Sequence, residues 1–378
     1  MFDMDHFRKR LQKQRKELGL TQNELAELLN VSAQSVSYWE CGKGVPDIEN
    51  LCRIADVLSV SLDTLLQKDD QPLPKTLIGV DAGGTKTEFA LIDEYGNRLD
   101  SAILSGSNPN ICGIKAAINT ISQGIALLRP KAMNVAGIFI GGAGFEVGNN
   151  ARELLQALHA AYPNIQMECV NDIFNVIACS AQPNKCVAAI CGTGCTVVSC
   201  RDGEIRRLGG LGYLFERCGS GYDIGRDAIS ATIWARDGIT DATVLTGMVE
   251  EQLGGPVRSH LNQLYQEDIS FVAGFAPLVF RAAEQDDPAA LDILRRNSRH
   301  MARMIQTALE QAGDVRNVIF SGSLFSKSDT FYNLVVEQLD SSLTLERMAY
   351  PPVWGACLQC AKLCGMEQQL RLEHFLKQ

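Results

Sequence analysis

Two short glycine-rich runs carry the residues best suited to chemistry. The first, Asp81-Ala-Gly-Gly-Thr-Lys-Thr87, follows the apolar run Leu77-Ile-Gly-Val80; the second, Cys191-Gly-Thr-Gly-Cys195, follows residues 187–190. In such runs glycine lets the backbone approach a phosphate, and main-chain N–H groups then cradle its oxygens. Gly83, Gly84, Gly192 and Gly194 would supply that backbone, and Thr85, Thr87 and Thr193 would add hydroxyl donors. Asp81, at a strand end, suits a Mg2+ held through water, which offsets the charge of a triphosphate. The spacing is neither that of a Walker loop nor that of a dinucleotide-binding fingerprint. A third candidate is the pair Asn171-Asp172. A carboxylate there can take the proton of a substrate hydroxyl, and it can equally cap a helix, since a helical pattern begins just after it.

Each glycine run sits between strands. Residues 89–92 form a second apolar strand after the first loop, a turn follows at Tyr95-Gly96-Asn97, and a third strand falls near residues 102–104. The second loop repeats the unit, with a strand at 197–199 and a turn at 201–204. Two related strand–loop–strand units predict two α/β lobes with a cleft between them, one loop from each.

The first seventy residues have helical punctuation instead. Phe7 and Leu11 share a helical face that ends at Leu18-Gly19-Leu20. Thr21-Gln-Asn-Glu24 reads as a capping box opening a second helix with Leu25, Leu28 and Leu29 inside. Asn30-Val31 is a short turn, Ser32 caps a third helix ending near Glu40, and Pro46-Asp47 open a fourth carrying Ile48, Leu51, Ile54, Ala55 and Leu58. Ser61 caps a fifth. Five short helices, the second and third joined by a tight turn, describe a helix-turn-helix module.

The predicted division is therefore 1–67 for this all-α module, 68–75 for a polar linker holding two prolines, 76–186 for the first lobe and 187–365 for the second. A C-terminal helix of the second lobe returns to the first, and 366–378 is a tail helix. A length of 378 residues suits such a multidomain chain. With 46% hydrophobic and 21% charged residues it is a folded protein, and the lack of a long apolar run excludes a membrane-spanning helix. The first ten residues lack the apolar core of a signal peptide, so a cytoplasmic location is expected. The net charge of −9 conceals a basic stretch, Arg8, Lys9, Arg10, Lys13, Arg15 and Lys16, inside a segment 1–70 whose net charge is −3. A local patch of this kind can contact phosphates. The thirteen cysteines are spaced against a metal or disulfide framework. Cys186, Cys191, Cys195 and Cys200 lie in apolar runs, while Cys357, Cys360 and Cys364 share a helical face where thiols pack as small hydrophobes.

Residues 21–66 resemble the Cro/Xre helix-turn-helix family. The resemblance implies that Gln22 anchors a DNA backbone phosphate and that Ser32, Ala33, Gln34, Ser35 and Ser37 face base edges in the major groove. Gln34 suits adenine, which an amide pairs bidentately. It implies a double-stranded operator and a homodimer, with recognition helices about 34 Å apart. Residues 76 to about 365 resemble the BadF/BadG ATPase family and, within it, N-acetylglucosamine kinases of the actin-like ATPase superfamily (a ribonuclease H-like fold). The matching pieces are GVDAGGTKT at 79–87, SGSNPN at 105–110, GGAG at 141–144, VNDIFNVIA at 170–178, CGTG at 191–194, GSGYDIGRDAI at 219–229 and FSGSLF at 320–325.

This second resemblance implies ATP with Mg2+. Asp81, Gly83, Gly84 and Thr85 would meet the terminal phosphates and metal, Gly192, Thr193 and Gly194 would form the second phosphate loop, and Gly322 and Ser323 would border the adenosine. Asn108, with Asn171, would hold the sugar, and Asp172 would be the catalytic base. The pattern breaks before GSGY, where the kinases carry glycine, aspartate and glutamate and this chain has Glu216, Arg217 and Cys218. Arginine only donates hydrogen bonds, so that point no longer accepts them from sugar hydroxyls. Arg217 would then meet an anionic ligand such as a phosphosugar or a lactyl-bearing amino sugar, or the site binds without catalysis, or Arg217 points to solvent. A regulator whose kinase-like module senses an amino sugar is the leading expectation; an active amino-sugar kinase that also binds DNA is the alternative.

Overall fold

The structure, a computed structural model, describes residues 4–58, 60, 62–66, 74–129, 134–348 and 350–376. The expected cap at Ser61, residue 67 and residues 68–73 of the expected linker lie outside the described residues.

The N-terminal helices are α1 (Met4–Glu17), α2 (Gln22–Leu29), α3 (Ala33–Glu40), α4 (Ile48–Val57) and α5 (Leu62–Leu66). Their boundaries follow the caps. Thr21 Oγ1 accepts the Glu24 N–H while Glu24 Oε2 accepts the Thr21 N–H, so two otherwise unpaired helix-end donors are satisfied. Asn30 ends α2 in the left-handed region at φ 56°, and Ser32 and Asp47 cap α3 and α4. Phe7, Leu11, Leu25, Leu29, Val36, Trp39, Ile54 and Leu65 pack one core. Leu28 and Ile48 face solvent.

Strands β1 (Thr76–Ala82), β2 (Lys86–Asp93), β3 (Arg98–Ser105), β4 (Val135–Gly142) and β5 (Gln166–Val170) form a sheet of order β3-β2-β1-β4-β5. β2 is antiparallel to β1 and β3, whereas β1, β4 and β5 run parallel. α6 (Pro109–Cys112), α7 (Ile114–Leu128) and α8 (Asn150–Ala161) accompany it. Strands β6 (Lys185–Cys191), β7 (Cys195–Arg201), β8 (Glu204–Leu208), β9 (Asn317–Ser321) and β10 (Thr344–Arg347) form the second sheet, of order β10-β9-β6-β7-β8. Its helices are α9 (Ile173–Ala178), α10 (Gly221–Arg236), α11 (Leu245–Leu253), α12 (Leu261–Gln266), α13 (Ile269–Ala273), α14 (Ala276–Ala283), α15 (Pro288–Ala312), α16 (Ser323–Lys327) and α17 (Asp329–Val336). α18 (Pro352–Leu363) and α19 (Leu372–Leu376) close the chain. Two compact units result: residues 1–172 with 356–378, and residues 173–355. Their division falls at Asp172, ahead of the 186/187 lobe boundary drawn on sequence.

The cysteine stripe of α18 has a packing reason. A Cβ on Gly79 of β1 would lie 2.7 Å from the Cys357 backbone and sulfur, and one on Gly137 of β4 would lie 2.5 Å from Cys364 Sγ. Helix and sheet approach closely because glycines on one side meet small thiols on the other. Burial pushes the Cys357 thiol up to about 12, so it stays neutral. Among the described residues no helix is long and apolar enough to cross a membrane.

Candidate phosphate, ligand and DNA sites

In the parallel part of the first sheet the carboxyl ends of β1, β4 and β5 share one edge, where ligands of such sheets bind. Asp81 is in register with Gly141, and Gly141 with Val170, two residues before Asp172. With strands about 4.8 Å apart, Asp81, the 141–144 turn and Asn171-Asp172 all fall along this edge. Asn171 Nδ2 donates to Glu146 Oε2 at 2.8 Å. Asn108 stands beside the same turn: its Oδ1 accepts the Asn110 N–H at 2.9 Å and lies so near Gly144 that a Cβ there would be 2.3 Å away.

The Gly83-Gly84-Thr85 loop is braced from below. Gly83 N–H donates to Lys86 O, the Ser107 N–H donates to Gly83 O, and Gly106 passes so close that a Cβ would sit 2.0 Å from Gly84 O. Thr85 is exposed. Thr87, expected as a second phosphate donor, is fully buried; its Oγ1 donates to Ser105 O at 2.9 Å and lies 2.7 Å from Ser107 Oγ. Its hydroxyl is committed to the loop's foundation because strand alternation turns Thr87 inward with Phe89 and Leu91.

In residues 173–355 the second loop is held by backbone. The N–H groups of Gly221 and Tyr222, in the first turn of α10, donate to Gly192 O and Thr193 O at 2.7 and 3.0 Å. Gly322 adopts φ +98° and lies under Cys191, and Ser323 Oγ would be 3.5 Å from a Cβ on Gly192. Gly192, Thr193, Gly194, Gly322 and Ser323 are thus brought together. Asp223, which sequence reasoning did not single out, is buried in the same turn, and its Oδ2 accepts the N–H groups of Cys218, Gly219 and Ser220 at 3.1 Å each. The signal available for it was the Ser-Gly-Tyr-Asp spacing of a capping box. The expectation of no disulfide is corrected here: Cys195 and Cys218 are bonded, with Cα atoms 6.3 Å apart, because the β7 start and the turn before α10 converge.

Arg217 does not line this loop. It borders a cavity of about 380 Å3 between α10 and the start of α15, together with Asp227, Trp234 and Arg296.

In the helix-turn-helix module α3 buries Val36 and Trp39 and leaves Gln34 exposed and Ala33, Ser35 and Ser37 partly so. Ser32 Oγ accepts the Ser35 N–H and meets Ser35 Oγ at 2.8 Å. Arg15, counted above with the basic stretch, is instead buried against Glu40, with Nε–Oε1 at 2.6 Å and Nη2–Oε2 at 2.9 Å. Gln22 Nε2 donates to the same Glu40 carboxylate at 2.7 Å, which fixes the amide's orientation. Lys9, Lys13 and Lys16 remain exposed.

These features define a class: a helix-turn-helix DNA-binding module joined to an actin-like α/β ATPase fold with two glycine loops. The chain belongs to the BadF/BadG/BcrA/BcrD ATPase family, whose model matches residues 78–358, and residues 11–65 match the helix-turn-helix family. It is 27% identical over 264 residues to N-acetyl-D-glucosamine kinase of Dictyostelium discoideum, an alignment covering 62% of this chain and 80% of that one. Its N-terminal part is 44% identical over 64 residues to the HTH-type transcriptional activator BcrR of Enterococcus faecalis, covering 17% of this chain and 31% of that one. A solved structure from Chromobacterium violaceum, assigned as an N-acetylglucosamine kinase, matches in fold with a TM-score of 0.61 at 23% identity, over 78% of this chain and 100% of that one. The chain is thus a regulator-type helix-turn-helix domain fused to an ATPase-family domain similar to N-acetylglucosamine kinases.

Proposed function

We propose that this chain is a DNA-binding transcription regulator whose kinase-like module binds ATP and an amino sugar as a sensor. The observation that carries the reading is the coexistence, in one chain, of an α3 that presents Gln34 while anchoring Val36 and Trp39, and an ATPase-family domain with both glycine loops. Gln22, held by Glu40, offers its second amide hydrogen to a DNA phosphate, and Ser32, Ala33, Gln34, Ser35 and Ser37 face the major groove as a homodimer meets a near-palindromic operator. Gly83, Gly84 and Thr85, with Gly192, Thr193 and Gly194, cradle the phosphates, and Gly322 and Ser323 border the adenosine. The Asp81 carboxylate, a hard oxygen donor at the open strand edge, fits Mg2+ through water, and the ion neutralises phosphate charge when bound. Asn108, Asn171 and Asp172 hold the sugar hydroxyls at the same edge. The kinase alternative is weaker, because Arg217, at the position of a sugar-clamping acid, turns into a different cavity.

The test pairs two measurements on the full chain. Operator selection followed by fluorescence anisotropy should yield a duplex whose binding weakens at least tenfold in Gln34→Ala. N-acetylglucosamine with ATP and Mg2+ should raise the melting temperature and change operator affinity, with no ADP release. Sustained ADP release abolished by Asp172→Asn would replace the sensor with the kinase. Operator affinity indifferent to every sugar would remove sensing.

A further inference from the structure

The cavity that Arg217 borders is unexplained by the loops and edge described above. It lies wholly within residues 173–355, walled by α10 (Asp227, Ser230, Trp234), the 240–242 loop and the first turns of α15 (Asp292, Arg296). At about 380 Å3 it holds a monosaccharide with room for a substituent. Trp234 is half exposed on its wall, whereas the other two tryptophans, Trp39 and Trp354, are buried. A half-exposed indole is a platform for a flat, weakly polar face, such as the C–H face of a pyranose.

The charges select further. Asp227 is buried, and its carboxylate draws partners from three sides: Asn297 Nδ2 at 3.1 Å, Arg226 at 3.5 Å and Arg296 at 3.5 Å. Arg226 is anchored by Asp223 at 2.9 Å, and Arg296 Nε by Asp292 at 2.8 Å. Arg217 is therefore surplus to Asp227. Its side chain is 57% exposed, and its nearest carboxylate oxygen lies 3.8 Å away, too far for a hydrogen bond. An arginine fork with donors to spare is a receptor for a carboxylate or a phosphate. Asp241, an exposed lining residue, together with Ser230 and Thr240, supplies acceptors for neutral hydroxyls.

We propose that this cavity is a second ligand site, separate from the glycine loops, which binds a pyranose bearing one anionic group, with the anion on Arg217 and the ring face on Trp234. The site would let the module respond to an acidic sugar independently of the nucleotide edge.

Trp234 makes the test direct. Acrylamide quenching of tryptophan fluorescence is measured on the full chain, titrated with N-acetylmuramic acid, N-acetylglucosamine 6-phosphate or uncharged N-acetylglucosamine. At least one of the two anionic sugars should shield Trp234, and comparison of the two identifies carboxylate or phosphate as the preferred anion. The uncharged sugar should need at least tenfold more. Arg217→Ala should raise the required concentration at least tenfold, and Arg217→Lys, which keeps the charge and loses the fork, should lie between. Should Arg217→Ala melt early, Ala231→Phe, which fills the cavity from α10 without adding an indole, replaces it and should abolish shielding. No shielding by either anion at millimolar concentration overturns the site, as does shielding that survives these substitutions. Because the readout uses neither DNA nor ATP, it can fail while the regulator reading stands, and the reverse.

Discussion

The two glycine loops are built on the same strand–loop–strand plan and are braced by different chemistry. The loop at 83–85 rests on two backbone hydrogen bonds, Gly83 N–H to Lys86 O and Ser107 N–H to Gly83 O, and beneath them on side-chain hydroxyls, with Thr87 buried between Ser105 O and Ser107 Oγ and Gly106 pressed against Gly84. The loop at 192–194 rests on backbone and sulfur. Two N–H groups of α10 hold its carbonyls, Gly322 lies beneath it, and Cys195 is bonded to Cys218. A loop braced by hydroxyls can be loosened one hydrogen bond at a time. A loop stitched to a helix N-terminus moves with that helix, so the second loop is coupled to α10.

The largest effect should come from Gly322→Ala. A Cβ there would meet Cys191 O at 2.3 Å in a backbone conformation, φ +98°, that L residues rarely adopt. Strain and overpacking together should cost on the order of 4 kcal/mol. Hydrogen exchange should localise the damage: amides of β6 and β7 exchange faster while those of β1 to β3 are unchanged. Gly106→Ala should do the converse, since its Cβ would lie 2.0 Å from Gly84 O. Exchange that rises equally in both sheets for either variant would dissolve the distinction between the two braces.

Next in size is reduction of the Cys195–Cys218 bond, which closes a span of 23 residues. By the loop-entropy argument such a cross-link contributes about 3 kcal/mol. Treating the oxidised protein with a thiol reductant should lower the stability of residues 173–355 by that order, and Cys195→Ser should reproduce the loss and abolish the reductant's effect. A melting curve indifferent to reductant, in protein whose bond mass spectrometry has verified, would leave the backbone stitches as the whole brace.

How much of this was legible beforehand follows the range of each interaction. Both loops, the Thr21 capping box and the Ser32 cap are local patterns read within a few residues, and the strands around the glycines followed from short apolar runs bounded by turns. Contacts between distant residues were hidden. Arg15 looked like one more base in a basic stretch because Glu40, its partner, is 25 residues away. Cys195 looked like an apolar thiol and Cys218 like part of an altered motif, since only the convergence of β7 and the α10 turn makes them neighbours. Arg217 was visible as an anomaly, but its cavity needs the 240–242 loop and α15, which begins only at Pro288. Thr87 is the instructive middle case. Its burial could have been read from its shared parity with Phe89 and Leu91, and the motif drew attention to its hydroxyl instead.

That parity yields the smallest effect. Thr87→Val keeps the shape of the side chain and removes the hydroxyl, leaving buried Ser107 Oγ and Ser105 O each short of a partner. An unsatisfied buried polar group costs about 1–3 kcal/mol, so the variant should melt lower, with faster exchange confined to β2 and β3. Folded Thr87→Val protein should still gain the full thermal shift from ATP and Mg2+, because the hydroxyl it lost points inward. Thr85→Val is the counterpart: the exposed residue should change stability by no more than about 0.5 kcal/mol, while the shift from ATP and Mg2+ shrinks. If Thr87→Val abolished the nucleotide shift at full stability, the hydroxyl would belong to the ligand and not to the loop's foundation. The two loops would then differ less in their bracing than in which face of β2 meets the phosphate.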